Sequence, residues 1–371
     1  MEYQRLAAIT DTQHRQDELL RRQQMPGTIS TATTSTLVEM IGASSNLVFV
    51  VPTQQLQALS AQIFIQSAQL QRLLTSLDSF AQQMFLLACQ DTEYDRQFAL
   101  STDLDPRQFP GLRMRLREIS DGHFRNFTAA PEVYQLYRQL ASMQMVSELG
   151  SQQFRQLWPG LTDAHSFSNV GARATDITDD LNHIGAFSQT AAQANPLINL
   201  AMTYYLYEQV RPFYDGNCLT GRLIIANQLG QITDSITALS VAQALTSVYD
   251  QLETEFQLAN RGPNEHELTE FVTTFLTGVV QAQAQQLAQL KNKSAYPQPT
   301  APLTLTALPE TIYTKLAIAS IFGPANLVFD IKSLVRLTGT SAPTVTKAVN
   351  QLIDLQLVNI ERTRPLAIQL K

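Results

Sequence analysis

Residues 195–232, NPLINLAMTYYLYEQVRPFYDGNCLTGRLIIANQLGQI, constrain the fold more than any other stretch. Asn195 suits a helix N-cap and Pro196 its first turn. From Leu197 to Val210 nearly every helical face is apolar, which predicts a central, buried helix. Asp215-Gly216-Asn217 then forms a turn, and a second apolar helix begins near Thr220. Helix, glycine-containing turn and helix gather backbone N–H groups beside a positive helix end, a geometry suited to an anion. There Asp215 could hold a divalent ion such as Mg²⁺ against phosphates, and Arg222 could clamp one. The same spacing also describes an ordinary helical hairpin with a capping Asp and a solvent-facing Arg.

The surrounding residues read as mostly helical. Apolar positions at three- and four-residue spacing run through 53–90, broken near Ser76–Ser79. Further helices are expected at 107–119, 130–148, 175–187, 236–258 and 265–290. Glutamine covers polar faces where many proteins place Lys and Glu. It is a good helix former, and its abundance reads as compositional habit. With 371 residues, 44% hydrophobic and a net charge of −6, the chain can bury two or three cores and is not intrinsically disordered. Two cysteines, Cys89 and Cys218, make neither a disulfide scaffold nor a zinc site. No run reaches the roughly 18 apolar residues of a membrane span, and the first residues lack a signal-peptide pattern. A soluble, cytoplasmic protein without a membrane partner is expected.

Charge divides the chain. All six lysines lie at or beyond Lys291, and residues 1–290 carry 17 arginines against 28 acidic residues, a balance of −11. Residues 291–371 carry a balance of +5, which makes them the candidate for a polyanionic partner. The stretch KNKSAYPQPTAP, 291–302, is polar with three prolines and reads as a linker.

The sequence around the turn, Arg-Pro-Phe-Tyr-Asp-Gly-Asn-Cys-Leu-Thr-Gly-Arg, resembles the motif of the Fic family, His-Pro-Phe-x-Asp/Glu-Gly-Asn-Gly-Arg-x-x-Arg. Pro212, Phe213, Asp215, Gly216, Asn217 and Arg222 match. Residues 52–74 resemble the family's N-terminal helical segment, and 259–276 its stretch after the core. The resemblance implies a mainly α Fic helical bundle with a small β-hairpin flap near 154–172, where Trp158 sits. It also implies transfer of AMP from ATP, with Mg²⁺, to hydroxyls of a target protein. Asp215, Gly216, Asn217, Gly221 and Arg222 would then hold nucleotide phosphates, with Asp215 on the metal. On this reading residues 1–50 are an N-terminal extension and 51–290 the Fic-like domain, divided into a segment 51–105 and a core of about 106–290.

Three departures point to impaired or abolished chemistry. Arg211 stands where the family has its general-base histidine, and an arginine stays protonated. Cys218 replaces a glycine, and Leu219 replaces a phosphate-binding arginine. Arg211 could instead bind a phosphate or be purely structural. By resemblance to the family's inhibitory helix, Glu93 in CQDTEY is the candidate partner of Arg222, as a relic or a latch.

Residues 303–371 read as three helices, 309–322, 330–339 and 342–355, followed by strands LVNIER and PLAIQL. That is the order of a winged helix-turn-helix domain, and it resembles the one often appended to Fic proteins. Thr344, Lys347 and Asn350 share a face of the third helix and are candidate DNA contacts, with Arg362 and Arg364 on the wing. Such a domain can equally serve dimerisation or regulation. Two functions that do not exclude each other are therefore expected: a degenerate AMP transferase with residual nucleotide or phosphate binding, and a DNA-binding regulator whose body dimerises or senses a ligand.

Overall fold

The structure is a computed structural model that describes residues 3–32, 47–101, 104–156, 174–190, 195–296, 301–302 and 305–371. The chain divides into two compact units, Met1–Gln69 with Thr92–Gln285, and Leu70–Asp91 with Gln286–Lys371. The expected flap and Trp158 fall on 157–173, outside the described residues.

In the first unit α1 (Thr12–Gln23) is followed by β1 (Ile29–Ala32) and β2 (Leu47–Val50), paired antiparallel from Ile29 opposite Val50 to Ala32 opposite Leu47. Leu6, Leu19, Phe49 and Val51 bury one another, and Arg22 pairs with the buried Glu267 at 2.8 Å. The expected N-terminal extension is thus folded onto the body. Helices α2 (Gln54–Thr75) and α3 (Ser79–Ala99) flank the expected break, where Asp78 accepts from the Phe80 and Ala81 amides. Next come α4 (Leu112–Ser120), α5 (Ala130–Leu140), α6 (Met143–Glu148) and α7 (Ile177–Thr190). The segment expected as one helix over 130–148 splits because Ala141 is extended and Ser142 caps a new start.

Helices α8 (Pro196–Val210) and α9 (Asn217–Ile232) form the centre of this unit. Asn195 accepts from the Leu197 and Ile198 amides, as its position predicts. Every α8 residue from Leu197 to Val210 is buried, and on α9 all but Gln228, Gln231 and Ile232 are. Short α10 (Ser235–Ala238) and α11 (Val241–Ala259) follow, then α12 (Thr269–Ala295). The sequence placed the start of this last helix at 265. Glu265 and His266 instead hold φ of 49° and 58°, left-handed values that a helix cannot include. At its other end α12 runs five residues into the stretch read as a linker from 291.

The second unit contains the end of α2, the first part of α3 up to Asp91, the end of α12, α13 (Ala307–Phe322), the short β3 (Phe329–Asp330), α14 (Ile331–Thr338), α15 (Ala342–Asp354), β4 (Val358–Thr363) and β5 (Leu366–Leu370). Gly339, at φ 65°, ends α14. The hairpin β4–β5 gains a third strand the sequence did not announce: β3 pairs with β5, giving the order β3-β5-β4. Val345, Ala348, Val349 and Leu352 face inward from α15.

Candidate functional site

The turn between α8 and α9 is built by its own side chains. Asn217 reaches back over four residues, its Oδ1 accepting from the Phe213 amide and its Nδ2 donating to the Phe213 carbonyl, both at 2.9 Å. Phe213 stacks on Tyr137 of α5 with ring centroids 3.7 Å apart. Gly216 has φ 75°, and an added Cβ there would lie 2.5 Å from the Phe109 ring, so no other residue fits. Thr220 Oγ1 donates to the Gly216 carbonyl, closing the first turn of α9. Only Tyr214 and Asp215 among residues 211–222 are partly exposed.

Arg211 ends α8 in the left-handed region, at φ 48° and ψ 69°, and is 5% exposed. Beside it lies Arg155, 1% exposed, which sequence reading did not single out. Its Nε donates to the Arg211 carbonyl at 2.7 Å, and its backbone N–H to the Pro212 carbonyl at 3.0 Å. A second guanidinium N–H reaches the Val210 carbonyl at 3.3 Å. A cation thus meets the carbonyl end of α8, the favourable pole for positive charge. Burial, and then the neighbouring Arg211 charge, push the Arg155 pKa down to about 10.

Two substituted motif positions serve packing. Leu219 is fully buried. The Cys218 thiol lies 3.7 Å from the carboxylate of buried Glu208. Gly221, expected near phosphates, faces α8 instead. A Cβ at 221 would lie 2.8 Å from the Tyr207 ring and 2.9 Å from Glu208 Oε1. Here the glycine lets two helices approach.

Arg222 is 3% exposed and its guanidinium turns toward α3. Nε donates to Gln97 Oε1 at 2.6 Å, and one terminal nitrogen donates to both the Gln97 carbonyl and Ser101 Oγ at 2.9 Å. Glu93 is one turn before Gln97 on the same helix, yet it makes no direct ion pair with Arg222. Gln97 bridges them: its Nε2 donates to Glu93 Oε1 at 2.7 Å. The same oxygen accepts from the Ala242 amide at 2.8 Å, capping the start of α11 from outside. Burial raises the Glu93 pKa, against the pull of these donors and of Arg222. The i, i+4 spacing of Glu93 and Gln97 was the available signal.

Among the described residues no group of three or more His, Cys, Asp or Glu side chains gathers to hold a metal ion, and no helix is long and apolar enough to cross a membrane. In the second unit Thr344, Lys347 and Asn350 are all exposed on α15, and Arg362 and Arg364 are exposed on the hairpin. Lys332 and Arg336 on α14 are exposed as well.

Residues 127–229 match the model of the Fic/DOC family, and this part of the chain is a Fic/DOC family domain. It spans α5 to α9 and includes the turn. A crystal structure of a Fic family protein from Desulfovibrio desulfuricans G20 aligns with a TM-score of 0.48 at 14% identity, covering 86% of this chain and 97% of that one. No curated protein matches the chain.

Proposed function

We propose that the Fic-type body is a scaffold that has lost AMP transfer, and that the region 303–371 gives the protein a DNA contact. Fic proteins generally transfer a nucleoside monophosphate to proteins, and the turn offers such a reaction little. The observation that carries this reading is Arg222. Its guanidinium is spent on Gln97 and Ser101, buried away from the partly exposed Asp215. Leu219 supplies no charge, and Arg211 cannot accept a proton from a target hydroxyl. This donor set fits a triphosphate with Mg²⁺ poorly, since residues 211–222 contain a single carboxylate, Asp215. The test is incubation of the full chain with labelled ATP, Mg²⁺ and candidate proteins. No label should transfer above background. Transfer that vanishes in Asp215→Ala would overturn the reading. Restoring Arg211→His alone should not create activity, because positions 218 and 219 remain unrepaired.

The DNA contact is favoured by a separate observation, the outward polar face of α15. Thr344, Lys347 and Asn350 point to solvent there, while the helix buries Val345, Ala348, Val349 and Leu352. A winged-helix arrangement would place that face in the major groove, with Arg362 and Arg364 on the phosphates. Duplex binding by the full chain should weaken steeply with salt. Absence of binding at low salt would leave the domain as a protein-interaction or dimerisation module.

A further inference from the structure

The ends of α8 and α9 remote from the turn, with Asn126 and the end of α7, border an open cavity of about 260 Å³. It lies at least about 10 Å along α8 from Arg211, at 1.5 Å per residue. All ten described residues that line it are uncharged. Asn126, Gln228 and Gln231 bring amides, Ser188 and Thr203 bring hydroxyls, and Leu200 with Ile232 supply apolar surface.

The hydroxyls have fixed roles. Ser188 Oγ already donates to the Gly185 carbonyl at 2.7 Å, and Thr203 Oγ1 to Asn199 Oδ1 at 3.2 Å. Their protons are committed, so toward the cavity both can only accept. Asn199, 2% exposed, also donates to the Phe187 and Ser188 carbonyls and so holds the end of α7 against α8. That wall is set before any ligand arrives. Gln228 and Gln231, by contrast, have amides with no hydrogen-bond partner among the described residues. They bring donors as well as acceptors.

We infer that this cavity binds an uncharged, hydroxyl-bearing ring, either a free monosaccharide or the ribose of a nucleoside. A sugar hydroxyl donates and accepts at once, which matches acceptor-only hydroxyls facing bifunctional amides. The C–H face of such a ring suits Leu200 and Ile232. Among the described residues no aromatic side chain lines the cavity for a base to stack on, and no cation lines it for a phosphate. The volume lies just under the roughly 300 Å³ at which drug-sized pockets begin, enough for one ring. The inference is independent of the fate of the AMP-transfer site.

The test is calorimetric titration of the full chain with methyl glucoside, ribose, adenosine and AMP at millimolar concentration. At least one uncharged probe should bind. Glucoside binding marks a free sugar as the ligand class, and adenosine binding without glucoside marks a nucleoside. Gln228→Trp, at a half-buried position, should fill the mouth and lower affinity about tenfold or more. Ser188→Ala should lower it about 3–10-fold, one hydrogen bond's worth, with circular dichroism unchanged. Failure of all uncharged probes, equal binding by the Trp variant, or AMP binding tenfold tighter than adenosine would overturn the assignment.

Discussion

The turn of the body and the α15 face of the second unit carry comparable numbers of polar side chains and use them oppositely. At the turn, Arg155, Arg211 and Arg222 are each at most 5% exposed, and those of Arg155 and Arg222 end on protein carbonyls, an amide and a hydroxyl. On α15 and its hairpin, Lys347, Arg362 and Arg364 stand in solvent. A buried cation must be satisfied internally or it destabilises the fold, whereas an exposed one is available at little cost to stability. The contrast teaches which region can still meet a partner. Charge inside the body is engaged within the body, and charge on the second unit faces solvent.

The sharpest way to break this comparison is to reinstall family chemistry at 219. Leu219→Arg places a cation where a fully buried leucine packs, and should destabilise the protein by roughly 3–5 kcal/mol, read by urea denaturation. Unchanged stability would mean that the site opens to solvent and was never a core position. Next in size is Gly221→Ala. Its new methyl would press on Tyr207 and Glu208, so a loss of about 1–3 kcal/mol is expected. A glycine kept only for a phosphate would tolerate alanine without loss.

Lys347→Glu tests the other half. Stability should stay within about 0.5 kcal/mol, as for most surface substitutions, while DNA affinity at low salt falls about tenfold or more. Lys371→Glu, an equal charge change at an exposed position, should have a much smaller effect. Lys315 is a poorer control, because its ammonium lies 4.4 Å from the centre of the Phe80 ring. Equal effects at 347 and 371 would reduce the face to non-specific charge.

The smallest expected effect is at Glu93. Its pKa is raised in the folded state, so the folded protein holds this proton more tightly than the unfolded chain. Its contribution to stability is therefore fully present below the ordinary carboxylate range and is lost as pH rises through the raised folded value. Glu93→Gln keeps an acceptor for the Ala242 amide and removes that titration. Stability at pH 7 should change by no more than about 1 kcal/mol, and the slope of stability against pH above the ordinary range should flatten. An unchanged slope above the ordinary range would show that Glu93 is ionised in the fold and held by Arg222 after all.

Much of this was legible in the sequence where the governing interaction is local. Asn195-Pro196 announces α8, Gly339 ends α14, and the apolar run from Leu197 marks the buried centre. What escaped depends on residues distant in the chain. The pairing of Ile29–Ala32 with Leu47–Val50 is too short to show a period. Gln97 is indistinguishable by sequence from the exposed glutamines of α2 until Arg222, 125 residues on, is packed against it. Gln283 repeats the lesson, fully buried and donating to Thr237 and to the Ile63 carbonyl. Gly221 stands at an unspecified position of the motif, and only the distance to Tyr207 reveals its service to packing.

The cap that Glu93 places on α11 has a kinetic consequence. Ser240, at the N-cap position, makes no side-chain bond to its own helix, so the start of α11 is fixed by a carboxylate 149 residues earlier. Closing so long a loop is slow, and contacts of that separation form late when a chain folds. The first turn of α11 should therefore be absent from the folding transition state. A substitution that weakens the cap should leave the refolding rate nearly unchanged and act almost wholly by hastening unfolding.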